Sequence, residues 1–105
     1  MVSQHTLDTL RHFAEEREWQ KFHSPSNLAK SISIEAAELL ELYQWNDDAD
    51  RQEVADELAD VLHYCIALAR VMNFDLDEIL LSKLEKTRLK YPVEHTRGRI
   101  APIEQ

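Results

Sequence analysis

Glu35 and Glu38 stand three residues apart, and Glu57 and Asp60 repeat that spacing after an interval of 18 residues. On a helix, an i, i+3 spacing sets both carboxylates on one face, one turn apart. Two such helices packed antiparallel bring four carboxylates to one place. Four like charges cannot all stay ionised together without a cation. An all-oxygen ligand set suits Mg²⁺, or Mn²⁺ in its place, rather than zinc or copper. A di-iron bundle asks instead for Glu-x-x-His pairs. The nearest string is Asp60-x-x-His63, and the helical projection turns His63 to the far face.

The elements that must position these acids follow from periodicity at about 100° per residue. A first helix is expected from Ser3 to Trp19, with Leu7, Leu10, Phe13 and Ala14 inward and Ser3 as N-cap. After a break at residues 20–25, a second runs from about Ser26 to Gln44. Its stripe is Leu28, Ile32, Ala36, Leu39, Leu42 and Tyr43, with Glu35 inside the stripe and Glu38 at its edge. Asp50 with Glu53 opens a third helix to about Met72. Its stripe holds Val54, Leu58, Val61, Leu62, Cys65, Leu68, Ala69 and Met72, and Glu57, Asp60 and Tyr64 run down one edge. Asp75 with Glu78 opens a fourth, which stops before Tyr91-Pro92. There Lys83, Thr87 and Lys90 share the apolar face with Leu76, Ile79, Leu80, Leu84 and Tyr91, while Arg88 projects off it. Residues 92–105 carry no periodicity and read as an irregular tail. A carboxylate on a buried face costs several kcal/mol, on the order of a lost ion pair, unless paired or metal-bound. Acids solvated at the stripe boundary, or a Glu35–Lys83 ion pair, remain the competing account.

Composition narrows the class. In 105 residues there is one glycine, Gly98, so a Walker phosphate loop or a dinucleotide fingerprint is excluded. An all-β sandwich would also need more turn residues. The chain reads as one all-α domain over 1–105, an antiparallel four-helix bundle. Cys65 is the sole cysteine, which excludes an intrachain disulfide and a Cys-cluster zinc site. The net charge of -8 disfavours a nucleic acid polymer as partner. No membrane span or basic leader is legible, so the expected compartment is cytoplasmic. Apolar residues off the main stripes, among them Ile34, Leu40, Ile66, Val71, Leu81 and Leu89, point to self-association.

The ordered motifs Glu35-x-x-Glu38 and Glu57-x-x-Asp60 resemble the signature of the MazG-like all-α nucleoside triphosphate pyrophosphohydrolases. Four strings resemble the dCTP pyrophosphatase branch of that family. They are Arg17-Glu18-Trp19-x-x-Phe22-His23, the run from Glu38 to Trp45, the run from Glu57 to Tyr64, and Lys83-x-x-x-x-Arg88-x-Lys90-Tyr91-Pro92. The resemblance covers roughly residues 7–97. It departs at Ile34, where many relatives carry a second glutamate, and at Leu10, Thr87 and Lys90, where the branch has histidine, asparagine and arginine.

The resemblance implies Mg²⁺-dependent cleavage of a nucleoside triphosphate between the α and β phosphates, by a homodimer or a homotetramer built from dimers. The expected substrates are dCTP-like or non-canonical deoxynucleotides, removed as nucleotide-pool house-cleaning. Glu35, Glu38, Glu57 and Asp60 are then the metal ligands, and Glu38 also orients or deprotonates the attacking water. Lys83, Lys90 and Arg88 would meet the β and γ phosphates. Trp19, Trp45 and Tyr64 would contact base or sugar, and Phe22 and His23 could line the pocket. Leu10 and Thr87 remove two polar groups near the base, so looser base choice is expected. Two other readings are an enzyme of the same fold acting on dUTP or another phosphorylated metabolite, and a non-enzymatic acidic module for dimerisation or partner binding.

Overall fold

The computed structural model describes residues 2–100. Among them the chain is helical, without a strand. Its elements are α1 (Gln4–Glu16), a 3₁₀ turn (Trp19–Phe22), α2 (Pro25–Glu41), α3 (Arg51–Val71), α4 (Leu76–Lys90) and a short α5 (Val93–Thr96). None of these helices is long and apolar enough to cross a membrane.

Each long helix opens on a side chain that accepts an otherwise orphaned backbone N–H. Ser3 accepts from the Thr6 amide, Ser24 from Asn27, Asp50 from Glu53 and Asp75 from Glu78. The Ser24 cap corrects the expected start of α2 near Ser26. Pro25 sits at the first helical position, where its missing N–H costs nothing. α1 ends at Glu16 rather than Trp19, because Glu18 adopts a left-handed conformation at φ 54° and turns the chain into the 3₁₀ turn. α2 ends at Glu41 rather than Gln44. Leu42, Tyr43 and Gln44 donate to Leu39, Leu40 and Glu41, the tighter i→i+3 pattern of a closing turn. The region read as an irregular tail contains α5, while residues 101–105 lie outside the described residues.

The chain divides after Asn73 into two compact units. In the first, α2 packs on α3, and α1 packs on α3 and on the 3₁₀ turn. Ala14, Leu28, Ala67 and Ala69 are fully buried. Three of these four are alanines, which let helix backbones approach closely. Ile32, Leu39, Leu42, Val54, Val61, Cys65 and Leu68 are half-buried around them. The expected stripes were wider than the buried surface: Leu58, Leu62, Tyr43 and Met72 are exposed. Ile66 departs the other way and is half-buried rather than surplus. The second unit comprises α4 and α5. In it Leu76, Thr87 and Tyr91 are half-buried, whereas Ile79, Leu80 and Leu84, expected on a core stripe, are exposed.

The cap on α3 carries weight because that helix presents Glu57 and Asp60. Asp50→Ala should lower unfolding free energy by about 1 kcal/mol, the usual cost of a lost N-cap. Urea denaturation followed by circular dichroism checks this; a midpoint equal to that of the parent protein would show the cap to be dispensable.

Candidate functional site

Two i, i+3 acid pairs meet on the α2–α3 seam. One carboxylate oxygen from each of Glu35, Glu38, Glu57 and Asp60 lies within 4.8 Å of the others. Going down α2 from these acids leads to Ser31 and Asn27, and going up α3 leads to Tyr64. All three line one cavity, so the two helices run antiparallel along this seam. Glu35 and Glu57 are half-buried, while Glu38 and Asp60 are exposed. One oxygen of each half-buried acid, Glu35 Oε2 and Glu57 Oε2, is sealed from solvent and has no hydrogen-bond partner.

An unpartnered, desolvated carboxylate oxygen is costly, and the titration of Glu35 and Glu57 reflects it. Burial raises the Glu35 pKa to about 7, with the nearby Glu38, Asp60 and Glu57 carboxylates pushing the same way. Burial also raises Glu57, followed by repulsion from Glu38, Asp60 and Asp56. No cation of the first unit forms an ion pair with any of the four acids among the described residues. The donor set therefore fits a divalent cation: hard oxygens converge, two of them lack any partner, and their charge is uncompensated.

Beside the acids lies a cavity of about 310 Å³ lined by Trp19, Phe22, His23, Asn27, Ser31 and Tyr64. Local structure fixes its walls. The left-handed Glu18 throws Trp19 back against α1, where its ring meets Phe13 edge-on at 5.5 Å. The Arg17 guanidinium lies 3.8 Å above the Phe13 ring. Asn27 Nδ2 donates to the Phe22 carbonyl at 3.0 Å and ties the 3₁₀ turn to α2. Burial lowers the His23 pKa, and the Arg70 charge lowers it further.

Of the residues expected to contact substrate, Trp19, His23 and Tyr64 come together in this cavity, with Phe22. Trp45 does not line it; its side chain is 87% exposed beyond the end of α2. Lys83, Thr87, Arg88 and Lys90 all stand on α4, in the second unit. There Arg88 pairs with Glu85 at 3.4 Å, and the Thr87 hydroxyl donates to the Lys83 carbonyl. His63 does not turn to a free face, as the projection of α3 suggested. It is half-buried, stacked on Tyr64 and edge-on to Phe13, because α1 packs on that side of α3. Asn27 and Ser31 went unnoticed in the sequence. Their signal was register: residues 27, 31 and 35 follow at i, i+4 and i+8 on α2.

The chain matches the MazG-like family over residues 30–100. It belongs to that family. It is 39% identical to the rat protein dCTP pyrophosphatase 1 and 38% identical to the human one, over 89% of this chain in each case. The chain spans 63% of the length of those two relatives. A crystal structure of a pyrophosphatase from Archaeoglobus fulgidus superposes with a TM-score of 0.76 at 42% identity. That likeness covers 88% of this chain and 96% of the archaeal one. Among MazG-like proteins, then, this chain holds its four acids on two packed helices with an aromatic-walled cavity one helical turn away.

The raised Glu35 pKa sets a direction for stability. A carboxyl that binds its proton more tightly folded than unfolded contributes fully below its unfolded value of 4.5 and loses that contribution as pH rises through about 7. In EDTA, the Tm difference between Glu35→Gln and the parent protein should therefore widen in favour of the variant from pH 5 to pH 8. Mg²⁺ at pH 8 should raise the parent Tm by mass action and leave Glu35→Gln unmoved. A scanning calorimeter reads both; an equal Mg²⁺ shift in the two proteins would count against the metal centre.

Proposed function

We propose that the chain is a Mg²⁺-dependent nucleoside triphosphate pyrophosphohydrolase. It would act on dCTP-like or non-canonical deoxynucleotides and so keep the nucleotide pool clean. The observation that carries this reading is the convergence of four carboxylates, two with sealed and unpartnered oxygens, beside an aromatic-walled cavity. Kinship with proteins named dCTP pyrophosphatase and pyrophosphatase supports the same chemistry.

In this reading Glu35, Glu38, Glu57 and Asp60 hold the metal. A divalent ion held there would supply charge stabilisation at the phosphoryl oxygens and make the attacking water more acidic. Glu38, exposed at the mouth of the cluster, orients the attacking water or takes its proton. Attack at the α phosphorus breaks the bridging bond to the β phosphate, giving a nucleoside monophosphate and pyrophosphate. Trp19 and Tyr64 stack against base and sugar, with His23 at the cavity wall. Lys83, Lys90 and Arg88 meet the β and γ phosphates, and Thr87 stands among them on α4. The single domain is proposed to complete itself as a four-helix bundle within a homodimer or a dimer of dimers. Unpartnered apolar side chains support this, with Leu40 68% and Ile34 59% exposed on α2 alone. Trp45 would then serve as a base or sugar contact across a subunit boundary.

Product analysis decides the chemistry. With Mg²⁺, a deoxynucleoside triphosphate should yield pyrophosphate and monophosphate, and none without the metal. Orthophosphate as first product would overturn the reading. Glu57→Gln should lower kcat by at least about a hundredfold, as loss of a group stabilising developing charge does. Were the acids mere surface charge on a binding module, this variant would be indistinguishable from the parent.

Assembly is a separate measurement. Light scattering at micromolar concentration should give at least twice the 12.3 kDa of one chain. A 12.3 kDa species would show that the apolar residues on α2 do not drive self-association.

A further inference from the structure

Three polar side chains interrupt the aromatic lining of the cavity: His23, Asn27 and Ser31. Two of them occupy the α2 face that carries the metal ligands. Ser31 precedes Glu35 by one helical turn, a rise of about 6 Å, and Asn27 by about 12 Å. A nucleotide with its phosphates at the acids therefore lays its base against these two residues.

Their hydrogen-bonding states are constrained. Asn27 contacts the Phe22 carbonyl, which can only accept, so the amide nitrogen must face it. The Asn27 oxygen is left as the free edge, and it is an acceptor. Thr9 and Thr87 return their hydroxyl hydrogen to the carbonyl four residues back. Four serines inside the helices, Ser26, Ser31, Ser33 and Ser82, make no hydroxyl hydrogen bond among the described residues, and of these Ser31 alone is half-buried. Its hydroxyl remains free to donate.

We propose that Asn27 and Ser31 read the base edge, selecting a base that carries an exocyclic amino group next to an unprotonated ring nitrogen. The assignment rests on the pyrophosphohydrolase reading above. Cytosine presents an N4 amino donor beside the N3 acceptor, and adenine presents N6 beside N1. Either edge matches an acceptor at Asn27 Oδ1 and a donor at Ser31 Oγ. Uracil, thymine and guanine present a carbonyl oxygen in place of the amino group. That oxygen would face the Asn27 oxygen, acceptor against acceptor, with no donor between them. The two residues thus supply a polar readout in a pocket otherwise walled by Trp19, Phe22, His23 and Tyr64.

The test compares dCTP with dUTP, whose bases differ only at this edge. The parent protein should favour dCTP by about tenfold or more in kcat/KM, because dUTP sets a carbonyl oxygen against the Asn27 oxygen with no donor between them. Ser31→Ala and Asn27→Leu should each bring the ratio down at least threefold, by slowing dCTP and not dUTP. The Mg²⁺-induced rise in Tm should persist in both variants. Asn27→Leu also cuts the tie to Phe22, so Ser31→Ala decides alone if circular dichroism shows Asn27→Leu to be misfolded. A parent ratio near one overturns the proposal, as does a ratio unchanged by these substitutions. If no triphosphate is cleaved, the enzyme reading fails instead. Calorimetric titration with dCMP and dUMP then decides the edge readout on its own. Tighter dCMP binding, weakened by Ser31→Ala, supports it, and equal or absent binding overturns it.

Discussion

Repulsion among four carboxylates on one helix–helix seam is the constraint to which the rest of the first unit answers. α2 and α3 pack because Leu28, Ala67, Ala69 and their half-buried neighbours leave water. That packing drags Glu35 and Glu57 inward with the apolar residues around them. Hydrophobic burial and electrostatics therefore oppose one another within a single helix pair. The proton shared out to Glu35 near pH 7 is the relief the chain can provide for itself. A divalent cation relieves the same repulsion more completely, since it answers several oxygens at once. The seam is poorly satisfied in itself and well suited to a charged ligand, and both follow from one arrangement.

Much of this was legible in the residues. The caps Ser3, Asp50 and Asp75 announced three helix starts, and each cap bond is present. The paired acids at i, i+3 pointed to two convergent faces, and those faces do converge. Periodicity answers questions of this kind because it depends on neighbours a few residues away. What escaped depends on backbone geometry or on distant packing. No pattern signals that Glu18 takes a positive φ, yet that residue ends α1 and sets Trp19 against Phe13. His63 was assigned to a free face because projecting α3 considers one buried side, whereas α1 and α2 both pack on this helix.

The apolar stripes erred in a more instructive way. Leu58 and Leu62 fit the inward pattern of α3 but are exposed, as are Ile79, Leu80 and Leu84 on α4. A helical stripe reports that a side chain is to be covered without saying by what. In a chain of 105 residues the covering surface is scarce, because small domains bury a smaller share of their area. Surplus apolar residues are therefore expected wherever a short helical chain completes its core with another copy. Periodicity alone cannot separate those residues from an intrachain core, since the same solvent chemistry shapes both.

Phosphate chemistry and base selection are usually thought of as separable, because every nucleotide carries the same phosphates. In the proposed reading both draw on one helix face. Asn27, Ser31 and Glu35 follow at intervals of four, so each sits about 6 Å from the next along α2. α3 answers from the other side with Tyr64 one turn beyond Asp60. The spacing between an aromatic slot and the acids is thus set by helix rise, which scarcely varies, rather than by a loop. A rigid ruler of this kind fixes how far a base can lie from the phosphates it brings. Unlike Asn27, which ties α2 to the 3₁₀ turn, Ser31 makes no hydroxyl hydrogen bond among the described residues, so its substitution changes polarity alone. In that reading a substitution at Ser31 shifts base preference while the acids stay one turn away on the same helix.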